Sequence, residues 1–253
     1  MENNYIYGKN PIFEVLSKNP KRVNKIYIQK GFFYNKRLKN IVDLARDNKI
    51  IVQEASLQKF AEFFEPNVNF QGIIASISPV EYIELEDFLE IEKEGYKKLI
   101  ILDGISDPHN FGAIIRTAAA AGFDGVLISN HRSCPITPTV EKISSGAINH
   151  IPIIKTTSLS ASIETLKKHD FWVIATQMQA KDNYYEIDYT DMNFAVVMGS
   201  EGSGISKTIL NKADFTIKME SNFESLNVSA ATAVIAYEAL RQIRVKEKIA
   251  LRK

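Results

Sequence analysis

The 253-residue chain predicts an α/β protein of two domains, the second built on a parallel sheet covered on both faces. Three observations lead there. Strand-length apolar runs alternate with helical stretches along the second half of the chain. Several of those runs are continuously apolar, as expected of strands buried on both faces. An acidic stretch, Glu81 to Lys98, separates two differently patterned regions. At 45% hydrophobic and 24% charged residues, the chain is an ordinary globular one with enough apolar surface for a sizeable core.

In the first domain, residues 1–79, "KNPIFEVLSKN" reads as a helix, "VNKIYIQ" as a strand and "NKRLKNIVDLARDN" as a helix. "KIIVQEA" then reads as a strand, "SLQKFAEFF" as a capped helix and "QGIIASIS" as a strand. Residues 80–98 read as an acidic linker with a short helix, because Leu85, Phe88 and Leu89 recur at helical spacing. In residues 99–253, strands are expected at Leu99–Asp103, Gly125–Ser129, Ile151–Lys155, Phe171–Thr176, Phe194–Gly199 and Asp214–Met219. A long final helix is expected over Leu226–Lys246, apolar through "AATAVIAYEAL" and basic at its end.

The net charge of +1 hides an uneven distribution: residues 1–79 hold 12 Lys and Arg against 7 Asp and Glu, and residues 80–98 hold 3 against 7. The first domain therefore suits a polyanion or is simply a solvated surface. No apolar run approaches a membrane span, and the start "MENNYIYGKN" lacks the basic-then-apolar pattern of a leader. The expectation is a soluble cytoplasmic protein with no membrane partner. The single cysteine, Cys134, excludes an intrachain disulfide and a cysteine-based zinc cluster, and the four histidines form no HExxH spacing, so no metal is expected.

Three segments beyond the ends of expected strands could carry chemistry. In "DPHNFGAIIRTAAAAG", Arg116 stands among Gly112, Ala113, Ala119 and Ala120 at helical spacing, none of which can pair with a guanidinium. Asn110, after Pro108, can cap the helix that follows. In "VVMGSEGSGIS", three glycines fall within six residues directly after an apolar strand. A P-loop is excluded because Ile205 stands where the phosphate-binding lysine belongs, and a dinucleotide fingerprint because Lys207 replaces its third glycine. The loop binds a ligand without phosphate or serves as a tight turn. Glu201 within it is the best carboxylate partner for Arg116, the bland alternative being an exposed glutamate. In "SLNVSAATA", Ser225, Asn227 and Ser229 crowd the start of the last helix, where one would suffice as a cap.

Together these segments resemble the three motifs of the SpoU, or TrmH-like, RNA 2′-O-methyltransferases of the SPOUT superfamily, and "CPITPTVEKISSGA" resembles the segment between the first two. The likeness runs in order over residues 99–245. The first block, with "YIYGKNPIFEVL" and "FQGIIA", resembles the L30e-like RNA-binding domain of the family's 23S ribosomal RNA guanosine-2′-O-methyltransferases.

The resemblance implies S-adenosylmethionine as methyl donor, a SPOUT-type trefoil knot in the parallel-sheet domain, and a homodimer. It implies 23S ribosomal RNA, or a pre-ribosomal particle, as substrate. By motif matching, Arg116 takes the place of the catalytic arginine, Asn110 of its polar neighbour, Glu201 of the motif-two glutamate, and Ser225 and Asn227 of the motif-three residues. The cofactor is expected against Thr176, Met198, Gly199, Ile217, Met219, Leu226 and Ala231. Ala119, Glu141, Ser203 and Ser206 depart from the family pattern. The alternatives are a tRNA substrate, or a non-catalytic RNA-binding ribosome assembly factor.

Overall fold

The computed structural model describes residues 4–32, 35–63 and 69–250, which fall into two compact units: Met1–Glu81 with Ile136–His150, and Tyr82–Pro135 with Ile151–Lys253. Phe64 of the expected "SLQKFAEFF" helix and the last three residues of the basic tail lie outside the described residues.

The first unit begins with β1 (Asn4–Tyr7), α1 (Lys9–Lys18), β2 (Val23–Gln29) and α2 (Lys36–Asp47). It continues with β3 (Ile51–Ala55), α3 (Leu57–Ala61) and β4 (Ile73–Ile77). The sheet order is β1-β4-β2-β3, antiparallel at β1–β4 and β4–β2 and parallel at β2–β3. Helical spacing places Ile12, Val15 and Leu16 of α1, and Leu38, Ile41, Val42 and Ala45 of α2, on one core with Ile26, Ile28 and Ile73 of the sheet. Asn35 caps α2 by accepting from Leu38 N at 3.0 Å, and Ser56 caps α3 by accepting from Lys59 N at 3.3 Å. Strand β1 had no counterpart in the sequence reading.

The second unit starts with α4 (Leu85–Glu90), β5 (Lys98–Asp103), α5 (Pro108–Ala120) and β6 (Gly125–Ser129). The chain then contributes α6 (Pro138–Ile143) to the first unit. It returns as β7 (Ile153–Thr156), α7 (Leu159–Lys168), β8 (Phe171–Thr176) and β9 (Asp182–Asn183). The remaining elements are β10 (Asn193–Gly199), α8 (Lys207–Leu210), β11 (Phe215–Lys218) and α9 (Val228–Ala250). All pairings are parallel in the order β7-β6-β5-β10-β8-β11-β9.

Residues 82–98 are packed rather than free. Leu85 and Phe88 join the core of Leu99, Ile101, Leu127 and Ile154, and Ile83 extends the sheet beside Ile154. Gly125 permits this: a Cβ there would lie 3.0 Å from both Phe88 Cε2 and Leu99 Cδ1. From β5 the sheet grows one way through β6 and β7, and the other way through β10. Between the carboxyl ends of β5 and β10 lies a point where strand order reverses, the place where parallel sheets present ligand sites.

Segment 136–150 carries the clearest surprise. Glu141, a departure from the family pattern, is 3% exposed and pairs with Arg22, 7% exposed, at 3.0 Å. Arg22 also donates to Asn149 Oδ1 at 2.7 Å and twice to the Ser78 carbonyl. Gly146, at φ 87°, lies so close to α1 that a Cβ would be 2.4 Å from Glu14 Cβ.

Candidate active site

The first turn of α5 is set by Asp107, not by Asn110 as the sequence suggested. Asp107 accepts from His109 N at 3.2 Å and from Asn110 N at 3.1 Å. Pro108 occupies the first helical position, where its missing N–H is no loss. With Asp107 as the cap, the Asn110 side chain is left to face other elements.

The glycine loop follows β10. Register pairs Gly199 with Asp103, so the loop rises directly beside the end of β5. A Cβ on Gly199 would lie 2.3 Å from the carbonyl carbon of Gly204, and the loop closes on itself through a Ser200–Gly204 bridge. Gly199 is required by backbone meeting backbone. Gly204, at φ 64°, takes the left-handed turn of that closure. Asp103, buried at 6% exposure, accepts from Ser206 N at 2.8 Å and so ties the loop's far end to β5.

The last helix is entered through Asn227. Its carbonyl accepts from Ala231 N at 2.9 Å and its Oδ1 accepts from Ser229 N at 3.0 Å, the two bonds of an N-cap. Its amide donates to Asn110 Oδ1 at 2.9 Å and to Glu201 Oε1, while Asn110 Nδ2 donates to the same Glu201 oxygen at 3.3 Å. Three segments distant in sequence thus meet in one closed triangle. The carboxylate has one oxygen held by two amides, and its Oε2 takes part in neither bond.

The Glu201 carboxylate, for which the sequence suggested Arg116 as partner, accepts through Oε1 from the amides of Asn110 and Asn227. Arg116 lies exposed on α5, six residues past Asn110, roughly 9 Å along the axis by helical rise. Ser225 is exposed two residues before Asn227 and joins no bond of the triangle.

Of the seven residues expected at a cofactor, four lie at strand ends on this rim. Thr176, Met198, Gly199 and Ile217 end β8, β10 and β11, with Ile217 in register with Thr176. Met219 follows β11, Leu226 precedes α9, and Ala231 lies in the first turns of α9. Thr176 Oγ1 donates to the Val197 carbonyl at 3.1 Å, and Gln177 N to the Ile217 carbonyl at 2.8 Å, binding the strand ends together. Among large apolar side chains, Met178, two residues past β8, is 71% exposed, and Leu226, adjoining Asn227, is 45% exposed.

Sequence reasoning missed Asp103. Its only signal was an acidic residue ending an apolar strand, and its role depends on a loop a hundred residues away. Among the described residues no helix is long and apolar enough to cross a membrane, and no group of three His, Cys, Asp or Glu could hold a metal.

Comparisons with known proteins agree with this architecture. Residues 97–237 match the model of the SpoU rRNA Methylase family, and residues 5–83 match a domain described as RNA 2′-O ribose methyltransferase substrate binding. A protein of Staphylococcus aureus strain MSSA476, named within the TrmH family of tRNA/rRNA methyltransferases, is 41% identical over 96% of this chain and 97% of its own. The crystal structure of an AdoMet-bound rRNA methyltransferase from Sinorhizobium meliloti superposes with a TM-score of 0.78, at 20% identity over 94% of this chain and 87% of its own, and shows the same fold. The A. aeolicus TrmH/SpoU tRNA modifying enzyme has a TM-score of 0.55, with 31% identity over 64% of this chain and 84% of its own. On a family match spanning more than half its length and a relative at this identity, the chain belongs to the SpoU rRNA Methylase family.

Proposed function

We propose that this protein transfers a methyl group from S-adenosylmethionine to the ribose 2′-hydroxyl of a guanosine in 23S ribosomal RNA. The observation that carries the reading is the triangle of Asn110, Glu201 and Asn227, one residue from each motif, closed at the reversal point of a parallel sheet.

The residues present fit the methyl donor. An adenosine and a thioether-derived chain need apolar walls with a few backbone polar groups. Exposed Met178, two residues past β8, and Leu226, adjoining Asn227, offer apolar surface, and the ends of β8 and β11 offer backbone polar groups. Thr176, Met198, Gly199, Ile217, Met219, Leu226 and Ala231 would hold it, and bound there it supplies an electrophilic methyl group.

The chain's own task concerns the acceptor. A ribose hydroxyl is a weak nucleophile at neutral pH, and negative charge develops on its oxygen as it attacks. Arg116 carries a permanent positive charge and suits stabilising that oxygen or anchoring the adjacent phosphate better than it suits removing a proton. Glu201, its Oε1 saturated by two amides, offers Oε2 to a hydrogen bond from substrate. Ser225 lies at the entrance to the last helix, placed to contact the nucleotide.

A SPOUT-type trefoil knot and a homodimer belong to the same proposal. Support for the second is the face of α9 that carries Val234, Tyr237, Val245 and Ile249, each 36% to 52% exposed at helical spacing. The excess of Lys and Arg in the first domain suits any RNA, and its resemblance to the substrate domain of the 23S ribosomal RNA enzymes is what supports ribosomal RNA or a pre-ribosomal particle over tRNA. We place the protein in the cytoplasm with that RNA.

The test is to incubate the purified protein with methyl-labelled S-adenosylmethionine and total ribosomal RNA or tRNA from a strain lacking it, then map any 2′-O-methyl mark. A single guanosine labelled in the large-subunit RNA is expected. Label in tRNA would replace the substrate, and no label with cofactor still bound would favour a non-catalytic assembly factor.

A further inference from the structure

We infer that Arg132 is an RNA-backbone anchor at the rim of the site, mounted on the same buried carboxylate that supports the glycine loop. The inference rests on the methyl-transfer reading above.

Arg132 sits in the turn after β6, at the carboxyl end of the sheet. Both ends of that turn are pinned: Asn130 N donates to the Thr156 carbonyl at 2.7 Å, and Cys134 N to the Ile105 carbonyl at 2.9 Å. The turn is therefore laced to the stretch between β5 and α5 that leads to Asp107 and Asn110. Arg132 itself has φ 58°, a left-handed backbone that a side chain with a Cβ adopts only under strain. That conformation sends out a side chain that is 79% exposed.

Its guanidinium lies 4.0 Å from Asp103 Oδ1 and has no closer ion pair among the described residues. A contact that long, on a side chain that open, stabilises little. Stability therefore does not account for the strained backbone. The turn thus presents a planar cation, most of it exposed to solvent, beside the end of β5 where the glycine loop is tied. A guanidinium in that setting matches a phosphodiester oxygen pair, the feature repeated along any RNA strand.

Asp103 gives the placement its context. Its Oδ2 accepts from Ser206 N at 2.8 Å while Oδ1 lies 4.0 Å from Arg132, so the guanidinium stands beside the strand end to which the glycine loop is tied.

The experiment compares wild type with Arg132→Gln and Arg132→Lys, using the RNA fraction that wild type methylates. Measured are S-adenosylmethionine affinity, melting temperature, KM for RNA, and the slope of log binding constant against log salt. Arg132→Gln should raise KM roughly fivefold to tenfold and flatten the salt slope by about one unit, leaving cofactor affinity and melting temperature unchanged. Arg132→Lys should restore the slope, since it keeps the charge. A fall in melting temperature or cofactor affinity with an unchanged salt slope would make Arg132 only the counter-charge of Asp103, and would overturn the inference. If wild type methylates neither RNA pool, the function reading fails and the anchor with it. If wild type methylates RNA and Arg132→Gln matches it in KM and slope, the anchor alone fails.

Discussion

Asn227 performs two tasks whose separation is testable. It caps α9 through its Oδ1 and, through its amide, bridges Asn110 and Glu201. Serine can still cap but has no amide to bridge. Asn227→Ser should therefore keep nearly all stability while lowering methyl transfer by about a hundredfold through misplacement of the carboxylate. Asn227→Ala should show that loss together with about 1 kcal/mol of stability from the missing cap. Urea melts and single-turnover rates check both; equal activity of wild type and Asn227→Ser would remove the bridge from the mechanism. At this scale three residues singled out in the sequence, Asn110, Glu201 and Asn227, meet in the fold, but their mutual pairing was not legible. Opposite charges suggested Arg116 with Glu201, whereas two amides hold the glutamate, and Asn110 proved free of the capping role that Asp107 takes. Amide pairing leaves no signature in spacing, because an amide can both donate and accept.

Among elements, the glycine loop shows how a backbone requirement becomes a functional one. Gly199→Ala would force a Cβ to within 2.3 Å of the Gly204 carbonyl carbon, an overlap between main-chain atoms that no rotamer relieves. We expect it to cost about 1–3 kcal/mol and to abolish cofactor binding, whereas Gly202→Ala, with nothing within 4 Å of its added carbon, should do neither. Thermal melts and cofactor titration compare them directly, and a silent Gly199→Ala would contradict the loop's closure. The six strands of the second unit expected from the sequence all exist, two with the expected ends and four with ends moved by one or two residues, because strands buried on both faces read as unbroken apolar runs. Strand β1 was not legible: four residues at the start of a chain offer too short an alternation. Two-residue β9 was equally hidden, since only its neighbour β11 defines it. Residues 80–98 read as linker by charge, yet among them the apolar Ile83, Leu85 and Phe88 pack against the sheet of the second unit.

On the scale of the molecule, the chain is not divided by one linear boundary. Segment 136–150 packs with the first unit through Arg22, Glu141 and Asn149, and this was invisible because its partners precede it by more than a hundred residues. Arg22→Met would leave a buried carboxylate without its counter-charge and should cost about 3–5 kcal/mol near neutral pH, most of it recovered by adding Glu141→Gln. Burial pushes the Glu141 carboxyl above the usual range, while Arg22 pulls it back. A carboxyl raised in the fold contributes stability below its unfolded value, about 4.3, and loses that contribution as pH rises through the folded value. Without Arg22 the folded value climbs further. The stability gap between wild type and Arg22→Met should therefore widen from about pH 4 to about pH 7, as followed by urea melts; a gap that narrows with rising pH would contradict the buried pair.

We propose that Arg116 acts on the reacting ribose rather than on the fold. The measurement that tests it most directly is the single-turnover methyl-transfer rate of Arg116→Ala, taken alongside its melting temperature and S-adenosylmethionine affinity. We expect a rate lower by several hundred-fold or more, on the order of losing a transition-state donor, with melting temperature and cofactor affinity unchanged. A rate close to wild type, or a loss of rate matched by a loss of stability, would contradict it.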